Sequence, residues 1–313
     1  VNPVPGYDVI VVGAGIAGLT CAREAAAGGA DVLVLDRGTV GGQVATVDAV
    51  TNAPGRPGPI AGYDLGALLM DDAEAAGAAV TLAEVTGIVA DGDRFRVVAE
   101  GGEEFAAAAV VLAGGSLRRR LGVPGEERLN GRGVTRCASC DGPLLRDRDV
   151  VVVGGGDSAM DEAAVLAGYA SRVLIVHDGP APTARDELVA RTAAMDGVSF
   201  RAGATVTAIG GADRVDSVVV RDLATGAETE EPVAGVLVQI GLRPDTDRLA
   251  DLVRRDGTGH LVVDDDLMTS RPGIVAAGDI RSGSAALLAE SAADGIRAAR
   301  TALRHVAGEP PAG

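Results

Sequence analysis

Gly13-Ala14-Gly15-Ile16-Ala17-Gly18 is the stretch that decides the fold. It follows a short apolar run, Tyr7 to Val12, and opens an Ala- and Leu-rich helical stretch to about Ala27. In that context each glycine has a task. Gly13 permits a tight turn, Gly15 lets the backbone approach a pyrophosphate, and Gly18 lets the helix pack closely on the strand. The helix N-terminus favours the phosphate charge. A second buried-strand pattern, Asp31 to Leu35, completes a βαβ unit. Asp36 follows it, where a carboxylate meets a ribose diol. The glycine pattern alone is a weak signal, and the strand, helix and Asp36 in register make it a strong one.

The design returns further along. Asp149 to Val153 predicts a strand, Ser158 to about Ala167 a helix, and Arg172 to Val176 another strand. The turn between the first two is Gly154-Gly155-Gly156-Asp157-Ser158-Ala159, with Ala in the third glycine position, as the motif allows. Two more buried strands end in glycine, where a ligand approaches backbone closely: Val110 to Ala113 before Gly114-Gly115, and Val236 to Ile240 before Gly241. A strand over 273–277, then Gly278-Asp279, then an alanine-rich helix from about Ala285 to His305 close the pattern. The tail, Gly308 to Gly313, reads as frayed.

Composition bounds the function. The 313 residues suggest about two domains, and 47% apolar content is that of a globular chain. A net charge of −16 argues against a nucleic-acid partner, which needs a basic face. No apolar run approaches the length of a membrane span. The start, Val1-Asn2-Pro3, lacks the basic and apolar regions of a signal peptide, so a cytoplasmic location is expected. Only three cysteines are present, which argues against a disulfide scaffold.

Two of those cysteines form Cys137-Ala138-Ser139-Cys140. A structural zinc site would need two further ligands, and Cys21, His177, His260 and His305 are scattered, so no metal is expected. Two inert buried thiols are a possible reading. A redox disulfide is the stronger one, because the short spacing closes a ring easily and Asp141 can move protons to and from the thiolate. Cys21, on the first predicted helix, reads as a small core residue.

Taken in order, these motifs resemble the low-molecular-weight thioredoxin reductase family. The resemblance runs from the first glycine turn through Gly41-Gly42-Gln43, Asn52-Ala53-Pro54-Gly55, Cys137-Ala138-Ser139-Cys140-Asp141-Gly142 and the second turn. It ends with Thr269-Ser270-Arg271-Pro272-Gly273 and Ala276-Ala277-Gly278-Asp279. It implies an α/β fold with two Rossmann-like dinucleotide-binding domains of three-layer ββα type, the second inserted into the first. The expected boundaries are 1–117 with 245–313 for a discontinuous FAD-binding domain, and 118–244 for a pyridine-nucleotide-type domain carrying the cysteines. The implied FAD contacts are Gly13, Gly15, Ala17, Gly18, Asp36, Arg37, Gly42, Gln43, Asn52, Gly114, Gly278 and Asp279, with Ala286 and Leu287 at the start of the last helix. Gly154, Gly156, Asp157, Ser158, Ala159, Asp178 and Arg185 would serve NADH or NADPH. Cys140 would face the flavin, Cys137 would attack a substrate disulfide, and Asp141 would be the acid–base. A homodimer is implied, acting on a small-molecule or thioredoxin-like disulfide or dithiol.

Two departures qualify the resemblance. Family members carry His-Arg-Arg for the 2′-phosphate of NADPH, whereas this chain has His177-Asp178-Gly179, and the nearest downstream arginine is Arg185. Asp178 reads either as a turn residue before Gly-Pro or as a carboxylate that repels that phosphate. Members also carry Arg-Gln-Ala beside the flavin, where this chain has Ala286-Leu287-Leu288. Pro143, in place of a common aromatic, is a lesser change. These losses also fit relatives that run backward as dithiol oxidases, passing electrons from a small-molecule dithiol through the cysteines and FAD to oxygen. A flavin-bound sensor without turnover is the third alternative.

Overall fold

The computed structural model describes residues 4–56 and 58–310. The expectations for Val1-Asn2-Pro3 and for the tail beyond Pro310 fall outside the described residues. The chain divides into two compact units, 1–117 with 243–313, and 118–242.

The first unit begins with β1 (Gly6–Val12), α1 (Ile16–Ala27), β2 (Val32–Asp36), α2 (Gly62–Ala75) and β3 (Ala79–Leu82). Three longer strands follow, β4 (Val85–Asp91), β5 (Arg94–Ala99) and β6 (Glu104–Leu112). The sheet order is β3-β2-β1-β6-β5-β4. β1, β2 and β3 are parallel, and β1 is parallel to β6, with Ile10 opposite Leu33 and Val110. β4, β5 and the first half of β6 run antiparallel, so the meander splays off the parallel layer. Val9 and Val11 face the helical side of the sheet and Ile10 the other; all three are fully buried. Burial on both faces is what a continuous apolar strand such as Val-Ile-Val-Val requires.

The chain leaves this unit through β7 (Ser116–Arg118). The second unit holds β8 (Val134–Thr135), α3 (Ala138–Asp141), β9 (Asp149–Val153), α4 (Asp157–Ala167), β10 (Arg172–Val176), α5 (Asp186–Ala193) and β11 (Val198–Arg201). A meander of β12 (Ala204–Gly210), β13 (Ser217–Asp222) and β14 (Glu228–Pro232) precedes β15 (Gly235–Val238). Its sheet, β11-β10-β9-β15-β8, is parallel throughout, and β12-β13-β14 form a separate antiparallel layer. This is the first unit's design again: parallel sheet, helices on one face, antiparallel layer on the other. The return segment β16 (Leu242–Pro244) pairs with β7. β17 (Ile274–Ala276) then adds to the free half of β6, and α6 (Leu288–Val306) packs on α1.

Two predicted elements are corrected. The strand expected over 236–240 ends at Val238, because the Gln239 side chain turns to donate to the Arg136 carbonyl at 3.0 Å. The last helix starts at Leu288 rather than near Ala285. Ala286 has φ 54°, in the left-handed region, and cannot begin a right-handed helix. Ahead of it, the Ala285 N–H is tied to the Glu290 carboxylate at 2.5 Å.

Candidate active site

The first turn is built as its glycines require. Gly13 has φ 112°, and a Cβ there would lie 2.3 Å from the Ala113 carbonyl oxygen. A Cβ on Gly18 would lie 1.9 Å from the Gly13 oxygen, so helix and turn meet through bare backbone. A Cβ on Gly15, by contrast, would meet nothing within 4 Å: this glycine faces the open space at the start of α1. Gly42 packs against Gly15, and Gly278 against Ala17. Asp36 accepts from the Ala14 N–H at 2.6 Å and the Gly38 N–H at 2.8 Å, which fixes its carboxylate at the end of β2.

Beside this turn lies a cavity of about 300 Å³, lined by Gly13, Asp36, Arg37, Ala83, Gly114 and Ile280, among others. The cations on its wall are matched. Arg37 pairs with Asp245 at 2.8 Å, Arg248 with Glu84 at 2.7 Å, and Arg243 with Asp247 at 2.6 Å. A wall with apolar sides and neutralised charges suits an uncharged adenosine, and the open face at Gly15 suits the pyrophosphate that follows it. The residues therefore fit the adenosine half of FAD.

The other expected flavin contacts are distributed less evenly. Gln43 donates to the Ser116 carbonyl at 3.2 Å, and the Ser116 hydroxyl to the Asp279 carbonyl at 3.4 Å. Asp279 is partly buried, and burial pushes its carboxyl up; the charges of Glu290 and Asp294 add to this, while a hydrogen bond from Ser291 and the nearby His260 oppose it. Asn52, Ala286 and Leu287 are exposed, Leu287 by 56%. Sequence reasoning missed the group that holds the Gly278–Asp279 turn. Arg281, buried, donates to Asp294 and Glu290 at 3.0 Å each, and Asp294 also accepts from the Gly278 N–H at 3.0 Å. The signal available was the i,i+4 spacing of Glu290 and Asp294 in an otherwise alanine-rich helix.

In the second unit Cys137 and Cys140 are joined by a disulfide, with Cα atoms 5.4 Å apart. Cys137 is the N-cap of the short α3, and its Sγ accepts from the Cys140 N–H at 3.2 Å. Cys137 is half-buried and Cys140 exposed. Asp141 accepts from the Thr135 hydroxyl, which in turn accepts from the Cys137 N–H at 3.2 Å. The structure thus brings Cys137, Cys140 and Asp141 together, and Thr135, missed in the sequence, ties them. Leu144, 74% exposed, leaves an apolar surface just beyond. Cys21 is different: it is fully buried in the core under α1, and burial, with Glu24 adding, pushes its thiol up to about 12.

At the second turn, a Cβ on Gly154 would lie 2.1 Å from the Gln239 oxygen, which explains the glycine. Gly156 caps α4, and Ala159 fills the third position inside the core. The chain's own segment lies against this turn: the N–H groups of Thr183 and Ala184 donate to the Gly155 carbonyl at 2.8 and 2.9 Å. Arg185 donates to Asp157 through its backbone N–H and its Nε, both at 2.8 Å, and these bonds hold the Asp157 carboxyl below its ordinary range. His177 is 4% exposed, packs against Gly155, and has no hydrogen-bond partner at either ring nitrogen among the described residues. Asp178 is exposed.

Two dinucleotide-type units, one carrying a closely spaced disulfide-forming pair beside a carboxylate, define a flavin-linked disulfide oxidoreductase. The chain belongs to the pyridine nucleotide-disulphide oxidoreductase family, whose model matches residues 7–305. It is 37% identical to a thioredoxin reductase of Treponema pallidum, over 96% of this chain and 97% of that protein. It is 38% identical to one of Listeria innocua, over 96% and 94%. Among solved structures it resembles the thioredoxin reductase of Lactococcus lactis, with a TM-score of 0.89 and 33% identity over 96% of this chain and 99% of that one. For that of T. acidophilum the values are 0.84, 33%, 95% and 97%. Thioredoxin reductases are FAD flavoproteins with NAD(P)H as reductant, and this chain is a flavin disulfide oxidoreductase. No helix among the described residues is long and apolar enough to cross a membrane.

Proposed function

We propose that the protein exchanges electrons between FAD and a disulfide or dithiol substrate through Cys137 and Cys140, with NADH rather than NADPH as the nicotinamide reductant. The observation that carries the first part is the disulfide at the head of α3, with Asp141 tied to it through Thr135. In the reducing direction the pair, once reduced, presents Cys137 as a thiolate. Cys137 attacks the substrate disulfide and forms a mixed disulfide, releasing one substrate thiolate that Asp141 protonates. Cys140 then attacks Cys137, which closes the pair and frees the second substrate thiol. When bound, FAD would supply the two-electron relay between the cysteine pair and the nicotinamide reductant. Gly13, Gly15, Ala17, Gly18, Asp36, Arg37, Gly42 and Gly114 would hold its adenosine and pyrophosphate, and Gln43, Asn52, Gly278 and Asp279 its flavin end. On this reading the first unit is the FAD domain and the second the nicotinamide domain.

The choice of NADH rests on charge. Asp178 stands where a 2′-phosphate needs a cation, and the one nearby cation of the motif, Arg185, is engaged by Asp157. A soluble homodimer acting on a thioredoxin-like protein or a small disulfide completes this reading.

A second reading, a dithiol oxidase that passes electrons to oxygen, is favoured by Ala286 and Leu287, which offer the flavin no polar side chain. The segment lying on the Gly155 carbonyl supports it too. Anaerobic mixing of the oxidised yellow protein with NADH, NADPH and a generic dithiol separates the two. Rapid bleaching by NADH, well ahead of NADPH, supports the reductase; equal or faster bleaching by NADPH overturns the cofactor assignment. Bleaching by dithiol alone, with recovery and peroxide on admitting air, supports the oxidase.

A further inference from the structure

Glu162 carries the strongest inference beyond this reading. It lies on α4, the helix whose first turn is the second glycine fingerprint, and its carboxylate Oε2 accepts from the Ala138 N–H at 2.5 Å. That N–H belongs to the peptide joining Cys137 to Ala138. The contact is built rather than incidental. Ala138 is fully buried and packs in one core cluster with Ala159, Met160 and Ala163, so α3 is seated on the face of α4 from which Glu162 projects. The active centre therefore contains a second carboxylate besides Asp141, and the proposed acid–base role needs only one.

We propose that Glu162 is a positioning residue that anchors Cys137 and holds down the reduction potential of the Cys137–Cys140 pair. The physical reason is charge. Reducing the pair breaks the S–S bond and adds two electrons, which places thiolate character on Cys137. Cys137 Sγ already accepts from the Cys140 N–H, which favours that thiolate. A carboxylate gripping the adjacent peptide acts in the opposite sense, because like charges close together disfavour each other's ionised form. Its removal stabilises the reduced pair and makes the couple more oxidising, as stabilisation of the dithiol form does generally. Two other charged groups lie by Cys137: Asp141, tied to it through Thr135, and Arg136, itself paired with the buried Glu126 at 3.3 Å. The proposal rests on the pair being redox-active, as proposed above.

The test is a redox titration of the FAD-loaded protein in dithiothreitol buffers of graded poise, with thiols trapped by a maleimide that shifts electrophoretic mobility. In each reduction one dithiothreitol closes to its cyclic disulfide as the protein's S–S bond opens. Glu162→Gln keeps an acceptor oxygen for the Ala138 N–H and removes the charge. It should shift the equilibrium constant about tenfold toward the reduced pair, which is about 30 mV less negative for a two-electron couple. Glu162→Asp keeps the charge but shortens the reach. It should shift the constant in the same sense by less, and it serves if the Gln variant does not fold. A Glu162→Gln couple within about twofold of the parent overturns the proposal, whatever its effect on turnover. A parent pair that does not titrate at all overturns the redox reading beneath it, which keeps the two failures distinct.

Discussion

Asp157 and Arg185 are joined twice, through the backbone N–H and the Nε of the arginine, each at 2.8 Å to a different carboxylate oxygen. Asp157 opens α4, where a nicotinamide dinucleotide would set its pyrophosphate, and Arg185 reaches it from the N-cap of α5. The exposed Asp178 follows β10, at the position that would meet the ribose end. Replacing Asp178 by Arg should therefore raise the rate of flavin bleaching by NADPH relative to NADH by roughly tenfold, the scale of reversing one charge near a phosphate at a wet surface. The ratio of the two second-order rates is the measurement. An unchanged ratio would mean that Asp178 is only a turn residue.

Cys140→Ser tests whether the pair turns over or merely regulates. The substitution would leave the packing of α3 on α4 in place, since Cys140 is exposed and makes no core contact there. The variant should retain FAD, judged by its absorbance spectrum, and lose disulfide turnover by at least about a thousandfold, in line with removal of a covalent participant. Turnover near the parent level would make the pair a regulatory disulfide rather than the redox centre, and a parent without turnover would favour the sensor reading.

The cluster around Arg281 makes a stability prediction. Arg281 and Asp294 have side chains 9% and 2% exposed, and they hold the Gly278–Asp279 turn to α6. Arg281→Met would strand the Asp294 carboxylate in the core, which destabilises a protein by about 3–5 kcal/mol. Denaturant unfolding of the first unit's transition should show it. Because the turn belongs to the proposed flavin site, FAD should also leave the variant faster on dilution. A loss below about 1 kcal/mol would show that Arg297, 3.2 Å from Asp294, suffices alone.

How much of this was legible follows from which features are local. Gly13, Gly18 and Gly154 were readable because a Cβ at each would collide with backbone, so the sequence there has almost no choice. The cysteine pair and Asp141 lie within five residues and could be read as a unit. The start of the last helix could not, because it depends on Ala286 taking a left-handed conformation while Glu290 reaches back to Ala285. Nor could the double partnership of β6, whose first half pairs with β5 and whose second half pairs with β17 from beyond residue 270. Glu162 and the Arg281–Asp294 pair were missed because each reaches a group more than ten residues away, and Thr135, though only two residues before Cys137, carries no motif that marks its hydroxyl.

Asp279 shows the tension between the site and the stability of the unit that carries it. Burial raises its carboxyl, and the Glu290 and Asp294 charges raise it further. The folded state therefore keeps a proton that the unfolded chain releases, between the ordinary carboxylate value of 3.8 and the raised folded value. In that window stability falls as pH rises, and above it the full penalty is present. Asp279→Asn removes the penalty while keeping a polar side chain for Ser291. The variant apoprotein should thus be at least as stable as the parent at neutral pH, and its advantage should shrink as pH falls through the window. If Asp279 also holds the flavin end of FAD, the same variant should bind FAD more weakly, by about tenfold for one lost charge-assisted hydrogen bond. Thermal unfolding of both apoproteins from about pH 4 to pH 8, paired with FAD titrations, separates the two effects. An apoprotein less stable than the parent at neutral pH would mean that the carboxylate is compensated by partners stronger than Ser291 and His260.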